Sequence, residues 1–509
     1  MKRRHLLGKT TTVGAAIMGA HAIPRVVRAA VSHPNVNASP IPAVMQVSEQ
    51  QIGELTAVQS MHEFSVDRQS PTLGYSQSYL GPVIRVRRGE TAHMKVTNKT
   101  KNPITTHWHG LHVEGEMDGG PHSAIAPGQT WAPALKIDQP AATLWYHSHI
   151  HGRTAEQVYS GLAGLMIVDD PRAPTTGLPE TYGLDDLPLI VQDRAFSADG
   201  TLYYSNRGPA LMHGFRASEI VLNGAIRPLA SVPAGLIRLR LLNGSNARIY
   251  TFSFEDDRTF HQVASEAGLL ATPIAKRSIQ LAPAERIEIV VDFSSGQAVR
   301  LLLTDDSNSP MRAMMGDRMM GRGMMAEAGG SPESVTSDGR FEVMSFSVDA
   351  SKTASVTELP KWIAGAPTLP DWGKPVRRRD FSLDMGMGMM GRGMGGMMGM
   401  GAMRINGKAM AMERIDLQAR MGEPEIWRVI SNQMAHPFHI HGTSFQVLSI
   451  NGRSQPFEQI GMKDVVLVNG EAELLVRFTR KASKEFPFMY HCHILEHEDA
   501  GMMGQFTVR

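Results

Sequence analysis

One cysteine serves a chain of 509 residues, and it stands between two histidines. Cys492 lies in His491-Cys492-His493-Ile494-Leu495-Glu496-His497, and Met502 follows five residues later. On a strand, successive side chains point to opposite faces. The two imidazoles then point one way and the thiol the other. The fold is thereby expected to build two polar centres on opposite sides of one strand, roughly 10 Å or more apart. A lone thiol with imidazoles and a thioether beyond it is the ligand set of a blue-copper electron-transfer site. A single cysteine also excludes an intramolecular disulfide, so the thiol reads as a ligand rather than a structural group.

Three more histidine clusters accompany it: His107-Trp108-His109, His147-Ser148-His149 and His436-Pro437-Phe438-His439-Ile440-His441. A His-X-His step on a strand puts both imidazoles on one face, close enough to hold one metal or to bridge two. Taken together, the four motifs resemble those of the multicopper oxidase family, over residues 107 to 502. The resemblance implies a type 1 copper held by His436, Cys492 and His497, with Met502 axial. It implies a type 2 copper on His107 and His439. It also implies a type 3 pair, one copper on His109, His147 and His493 and the other on His149, His441 and His491. Four copper ions would thus engage ten of the twenty histidines. The implied chemistry is oxidation of one-electron donors with reduction of O2 to water.

The rest of the chain reads as all-β. Short alternating runs recur at Ile84-Arg85-Val86-Arg87, Ile237-Arg238-Leu239-Arg240, Ile287 to Val291 and Leu474 to Phe478, with 49 glycines and 30 prolines punctuating the sequence. That pattern signals β-sandwiches or barrels. The length is too great for one core and suggests about three domains. A weak repeat agrees: a glycine leads into a strand at Gly89 to Asn98, Gly235 to Asn243 and Gly422 to Asn432. A turn and strand follow at Pro127 to Thr130, Pro283 to Arg286 and Asn469 to Ala472. The first and third modules carry the histidine motifs and the middle carries none. The family resemblance implies three cupredoxin-like Greek-key domains, expected over 44–172, 185–350 and 376–509, with linkers near Asp170 to Leu187 and Ser351 to Pro375.

The net charge is +2, so no general basic field argues for nucleic acid. The start of the chain, Lys2-Arg3-Arg4-His5-Leu6-Leu7 followed by a weakly apolar stretch, reads as an export signal over 1–29, of twin-arginine type. No other stretch is long and apolar enough to span a bilayer as a helix. A monomer exported to the periplasm is expected.

Two methionine-rich tracts interrupt the pattern. Residues 311–325 hold seven methionines, and residues 384–403 hold nine methionines and eight glycines. Alternating glycine cannot sustain a helix face or a strand, so ordinary core packing does not explain the second tract. Soft thioethers prefer Cu(I), and both tracts are expected to take up additional, labile copper. O2 reduction also consumes protons. Asp118 is similar to the family's aspartate beside the type 2 copper, and Glu498 to its relay glutamate.

Within the family, the chain most resembles bacterial periplasmic cuprous oxidases of copper tolerance. In those relatives a substrate copper sits over the type 1 site, held by Met and Asp. Met434 matches the methionine. Asn432 or Gln433 stands where the aspartate is expected, and Asp384 with Met385 is only partly similar to the partner segment. The expected substrates are Cu(I) and O2. A laccase acting on phenols or aromatic amines is the alternative, and a non-enzymatic copper protein or scaffold on the same fold is a third reading.

Overall fold

The alternating runs fold as strands: Val83–Arg87, Leu236–Asn243 and Arg286–Asp292 each contain one of them, and Val465–Arg477 takes in the fourth except for its last residue, Phe478. The computed structural model describes residues 38–66, 68–172, 177–305, 339–369, 371–385 and 403–509. The expected export signal, the tract 311–325 and the body of the second tract, 386–402, lie outside the described residues.

Three β-sandwiches follow one another. In the first, Gly53–Ser65, Arg68–Tyr75 and Thr91–Asn98 form one layer, and Val83–Arg87, Ala142–His147 and Ala163–Asp169 form the other. Leu55, Val86, Val96, Leu144 and Met166 fill the space between. The second pairs a sheet through Asp186–Phe196, Leu236–Asn243 and Arg286–Asp292 with one through Tyr250–Phe254, Val299–Asp305 and Phe341–Thr353. Phe252, Leu239, Ile289 and Phe346 form its core. The third is one extended sheet through Met503–Val508, Phe488–Cys492, Pro424–Ile440, Val465–Arg477 and Phe445–Ile450, packed on Trp427, Phe438, Phe478 and Phe506.

The third sandwich departs from the repeat. Its glycine-led strand does not stop at Asn432 but runs for 17 residues, Pro424–Ile440, into the histidine motif. The register against Val465–Arg477 shifts between Ser431 and His436, so residues 432–435 leave the ladder as a bulge. Beyond it, Phe438 pairs with Cys492 and His439 with His491. The two histidine-bearing strands are thereby laid side by side.

The first and third sandwiches are clasped directly. Gly115 N–H donates to the Lys481 carbonyl (2.9 Å), and Lys481 N–H donates to Glu114 Oε2 (2.6 Å). The Asp499 carboxylate accepts the N–H groups of Thr154 and Ala155, both at 2.9 Å.

Candidate metal centre

Cys492 closes the strand Phe488–Cys492, with His491 on the strand and His493 just past its end. Sγ lies 3.3 Å from Nδ1 of His436 and 3.8 Å from Nδ1 of His497, and those two nitrogens are 3.3 Å apart. All three side chains are buried. Met502 belongs to the same apolar cluster as Cys492, and Cys492 N–H donates to the Met502 carbonyl at 3.1 Å. The outer nitrogen of His497 is covered: Nε2–H donates to the Met212 carbonyl at 3.3 Å. Burial pushes the Cys492 thiol far up, only partly opposed by the Ile494 N–H. A thiol in that setting ionises when a cation accompanies it.

His491 and His493 stand with ring centroids 5.4 Å apart. Six further imidazoles surround them. Nε2 of His491 is 3.2 Å from Nε2 of both His149 and His441. Nε2 of His147 is 3.4 Å from Nδ1 of His109. His107 stacks on His441 (3.9 Å) and His109 on His439 (3.7 Å). The ring of His493 lies 5.1 Å from that of His109 and 5.4 Å from that of His147.

Most rings spend one nitrogen on the protein. Nδ1–H donates to the Asp118 carbonyl from His107 (2.9 Å), to the Ser148 carbonyl from His147 (2.8 Å), to the Asp464 carbonyl from His439 (2.7 Å) and to the Cys492 carbonyl from His491 (3.0 Å). His109 is turned round and donates Nε2–H to Asp464 Oδ1 at 3.0 Å. The other nitrogens face inward. Those of His107 and His439, and both of His493, have no hydrogen-bond partner among the described residues. Burial first, and then their like neighbours, hold His109, His439, His441 and His493 well below the ordinary imidazole pKa. A buried polar atom left unpaired costs about 1–3 kcal/mol, so a nest of neutral, inward lone pairs fits metal ions that accept them. Imidazoles with one thiolate and a thioether fit copper. Proximity alone does not isolate a His107–His439 pair, because nitrogens of His107 fall within 4.8 Å of both His109 with His147 and His439 with His441.

The local structure differs from a strand at two motifs. His107 makes one isolated bridge to His147, and the chain turns at His109-Gly110, where Gly110 adopts φ +86°. His147 ends its strand and His149 lies beyond it. The imidazoles converge there through loops, not through pleating.

Both expected carboxylates adjoin the cluster. Asp118, at the end of the short helix Gly115–Asp118, accepts His441 Nδ1–H on Oδ2 at 2.8 Å, and its buried Oδ1 has no hydrogen-bond partner among the described residues. Glu498 places Oε1 at 3.3 Å from His149 Nδ1 and Oε2 at 3.1 Å from His491 Nδ1.

Of the residues expected to hold a substrate ion, Met385 and Met434 are buried and Asp384 is half-buried. Met385 N–H donates to Gln433 Oε1 at 2.9 Å, so one of the two residues that could stand in the aspartate's place ties the start of the methionine tract to the bulge. Asp384 Oδ2 accepts Ser382 Oγ–H (3.0 Å) and Gly407 N–H (3.1 Å). Met385, Met403 and Met434 lie in the same apolar cluster as Cys492 and Met502. Several neighbours carried no sequence signal: Asp464, Trp145, which stacks on His147 at 4.1 Å, and Met212. None has a motif or a spacing that would mark it.

Sequence profiles described as multicopper oxidase match residues 57–173 and 384–509. The cell division protein FtsP of Yersinia pestis is 34% identical over 96% of this chain and 95% of its own length. Among solved structures, a laccase-like multicopper oxidase, CueO, from the lignin-degrading bacterium Ochrobactrum sp., with oxidase activity towards lignin model compounds and lignosulfonate, is 39% identical. It covers 92% of this chain and 100% of its own, with a TM-score of 0.80. A laccase from Pediococcus acidilactici is 30% identical over 93% of this chain and 94% of its own, with a TM-score of 0.76. The three sandwiches are cupredoxin-like.

Proposed function

The chain belongs to the multicopper oxidase family, and on that premise we propose that it oxidises Cu(I) to Cu(II) while reducing O2 to water, in the periplasm, as a copper-tolerance enzyme. Its working domains are 44–172, 185–350 and 376–509. His436, Cys492, His497 and Met502 would hold one copper; His107 and His439 a second; His109, His147 and His493 a third; His149, His441 and His491 a fourth. Copper bound there supplies one-electron uptake at the cysteine and pooled electrons for O2 at the histidine cluster.

The residues account for the rest. Cys492 is covalently continuous with His491 and His493, and its sulfur is grouped with His436 and His497 while the ring of His491 is grouped with His149 and His441. The buried walls keep bulk water from the cluster. Asp118 and Glu498 are the proton carriers: Asp118 Oδ1, beside His107 and His441, has no hydrogen-bond partner among the described residues. O2 takes four electrons and four protons to give two waters, and four Cu(I) ions each give up one electron.

One observation carries the choice of substrate. The methionine tract begins at Met385, docked on Gln433 beside Met434, and ends at Met403, in the apolar cluster that contains Cys492. Thioethers at that place suit Cu(I). The outer nitrogen of His497 is already taken by the Met212 carbonyl. The laccase reading draws on the Ochrobactrum and Pediococcus structures, and a scaffold role on the FtsP relatives.

Oxygen uptake by the copper-saturated protein separates them, with stabilised Cu(I) and a dimethoxyphenol offered in turn. Uptake with Cu(I) and little with the phenol supports the proposal. Uptake with the phenol alone makes the protein a laccase. A protein that binds little copper and consumes no O2 is a scaffold.

A further inference from the structure

Among the described residues, the middle sandwich gives the histidine cluster no imidazole, yet one of its arginines reaches it. Arg286 is completely buried, and all five of its N–H donors are used. Nη1 donates to Asp464 Oδ1 (2.7 Å) and the Ala284 carbonyl (3.1 Å). Nη2 donates to Asp464 Oδ2 (2.6 Å) and the Glu266 carbonyl (3.5 Å). Nε donates to the Thr143 carbonyl (3.2 Å). Thr143 belongs to the first sandwich, Ala284 and Glu266 to the second and Asp464 to the third, so one guanidinium joins all three.

Asp464 carries this grip to the cluster. Its Oδ1 accepts His109 Nε2–H at 3.0 Å and its carbonyl accepts His439 Nδ1–H at 2.7 Å. Its own N–H donates to Glu266 Oε2 at 3.0 Å, and Lys463 Nζ lies 2.6 Å from Glu266 Oε1 and 3.0 Å from Glu285 Oε1. The peptide of Asp464 is therefore held on the middle sandwich at several points. Although its carboxylate lies within 4.8 Å of nitrogens of His109 and His439, both oxygens are committed to the guanidinium fork, which marks an acceptor rather than a ligand. Gly110 keeps the space for this pair: a Cβ there would sit 2.6 Å from Asp464 Oδ2 and 2.7 Å from Arg286 Nη2.

We propose that Arg286 and Asp464 are positioning residues, through which the middle sandwich sets which nitrogen of His109 and of His439 faces the metal. The inference rests on the reading of the cluster as a copper site. A hydrogen bond to the outer nitrogen of a ligating histidine fixes its tautomer and ring orientation. Here one aspartate does so for two rings, with its carboxylate for His109 and its carbonyl for His439.

The test is Arg286→Met in the full chain, with the wild type in parallel. Copper retention is measured by competition with a chelator, the cysteine centre by its blue absorbance, and the histidine-bound copper by electron paramagnetic resonance. The expected result is roughly 10–100-fold weaker retention at the histidine cluster, an altered resonance there, and an intact blue centre. Arg286→Lys keeps the charge without the planar fork and should shift the same readouts in the same direction; it decides the matter if Arg286→Met does not fold. Loss of both centres together would mean general destabilisation and would overturn the proposal, as would unchanged retention and resonance. Wild-type protein that takes up no copper would instead remove the copper reading itself, and this inference with it.

Discussion

Nδ1–H of His441 donates to Oδ2 of Asp118 at 2.8 Å, linking an imidazole of the third sandwich to a short helix of the first. The bond needs only an oxygen acceptor, whereas proton delivery needs an ionisable group. Asp118→Asn keeps the former and removes the latter. The O2 uptake rate is expected to fall about 10²–10⁴-fold, the usual contribution of a positioned acid or base. Copper content and blue absorbance should stay as in the wild type. Unchanged uptake would deny Asp118 any part in proton supply.

Cys492 is the single residue shared by both centres: its side chain belongs to one and its backbone neighbours to the other. Cys492→Ser replaces a soft thiolate with a hydroxyl of much lower affinity for copper. The blue absorbance should vanish and O2 uptake should stop with every donor, while copper at the histidine cluster remains measurable by resonance. A variant that kept oxidase activity would refute the electron path along this strand.

Much of this arrangement was legible in the chain because its signals are local. The alternation at His491-Cys492 separates the thiol, grouped with His436 and His497, from the imidazole grouped with His149 and His441, and the alternating runs mark real strands. Two things were not legible. The bulge at 432–435 depends on pairing with Val465–Arg477, a partner no local pattern names. Asp464 and Arg286 are 178 residues apart, and each is unremarkable among its neighbours. Their pairing appears only when three sandwiches close on one another. The convergence of His107 and His109 is likewise a product of the turn at Gly110 rather than of strand pleating.

Under the proposed function, Met434 belongs to the contact that receives Cu(I). It is buried at the bulge, next to Gln433, which accepts the Met385 N–H. Met434→Leu conserves volume and removes the sulfur. KM for Cu(I) is expected to rise about tenfold, the equivalent of roughly 1.4 kcal/mol of lost contact, with the blue absorbance unaltered. An unchanged KM for Cu(I) would place the substrate ion elsewhere.

Glu288 tests a different part of the molecule, the seam between the first and second sandwiches. It is buried; its Oε1 accepts Thr143 Oγ1–H (2.6 Å) and Arg240 Nη1–H (2.9 Å), and its Oε2 accepts Arg238 Nε–H (2.8 Å). Burial alone would raise its pKa, but Arg238 and Arg240 more than reverse this, from an ordinary 4.5 to about 2. A depressed carboxylate stabilises the fold above its unfolded pKa and loses that contribution as pH falls through the folded one. Stability should therefore decline as pH drops from about 4.5 towards 2. Glu288→Gln takes the carboxylate partner from the buried Arg238, while Arg240 keeps Asp186, at a cost of about 3–5 kcal/mol near neutral pH. It also removes this group's share of the acid dependence. Thermal unfolding of both proteins across that range checks the sign: the gap between them should narrow in acid, and a gap that stayed constant would mean Glu288 is not ionised in the folded protein.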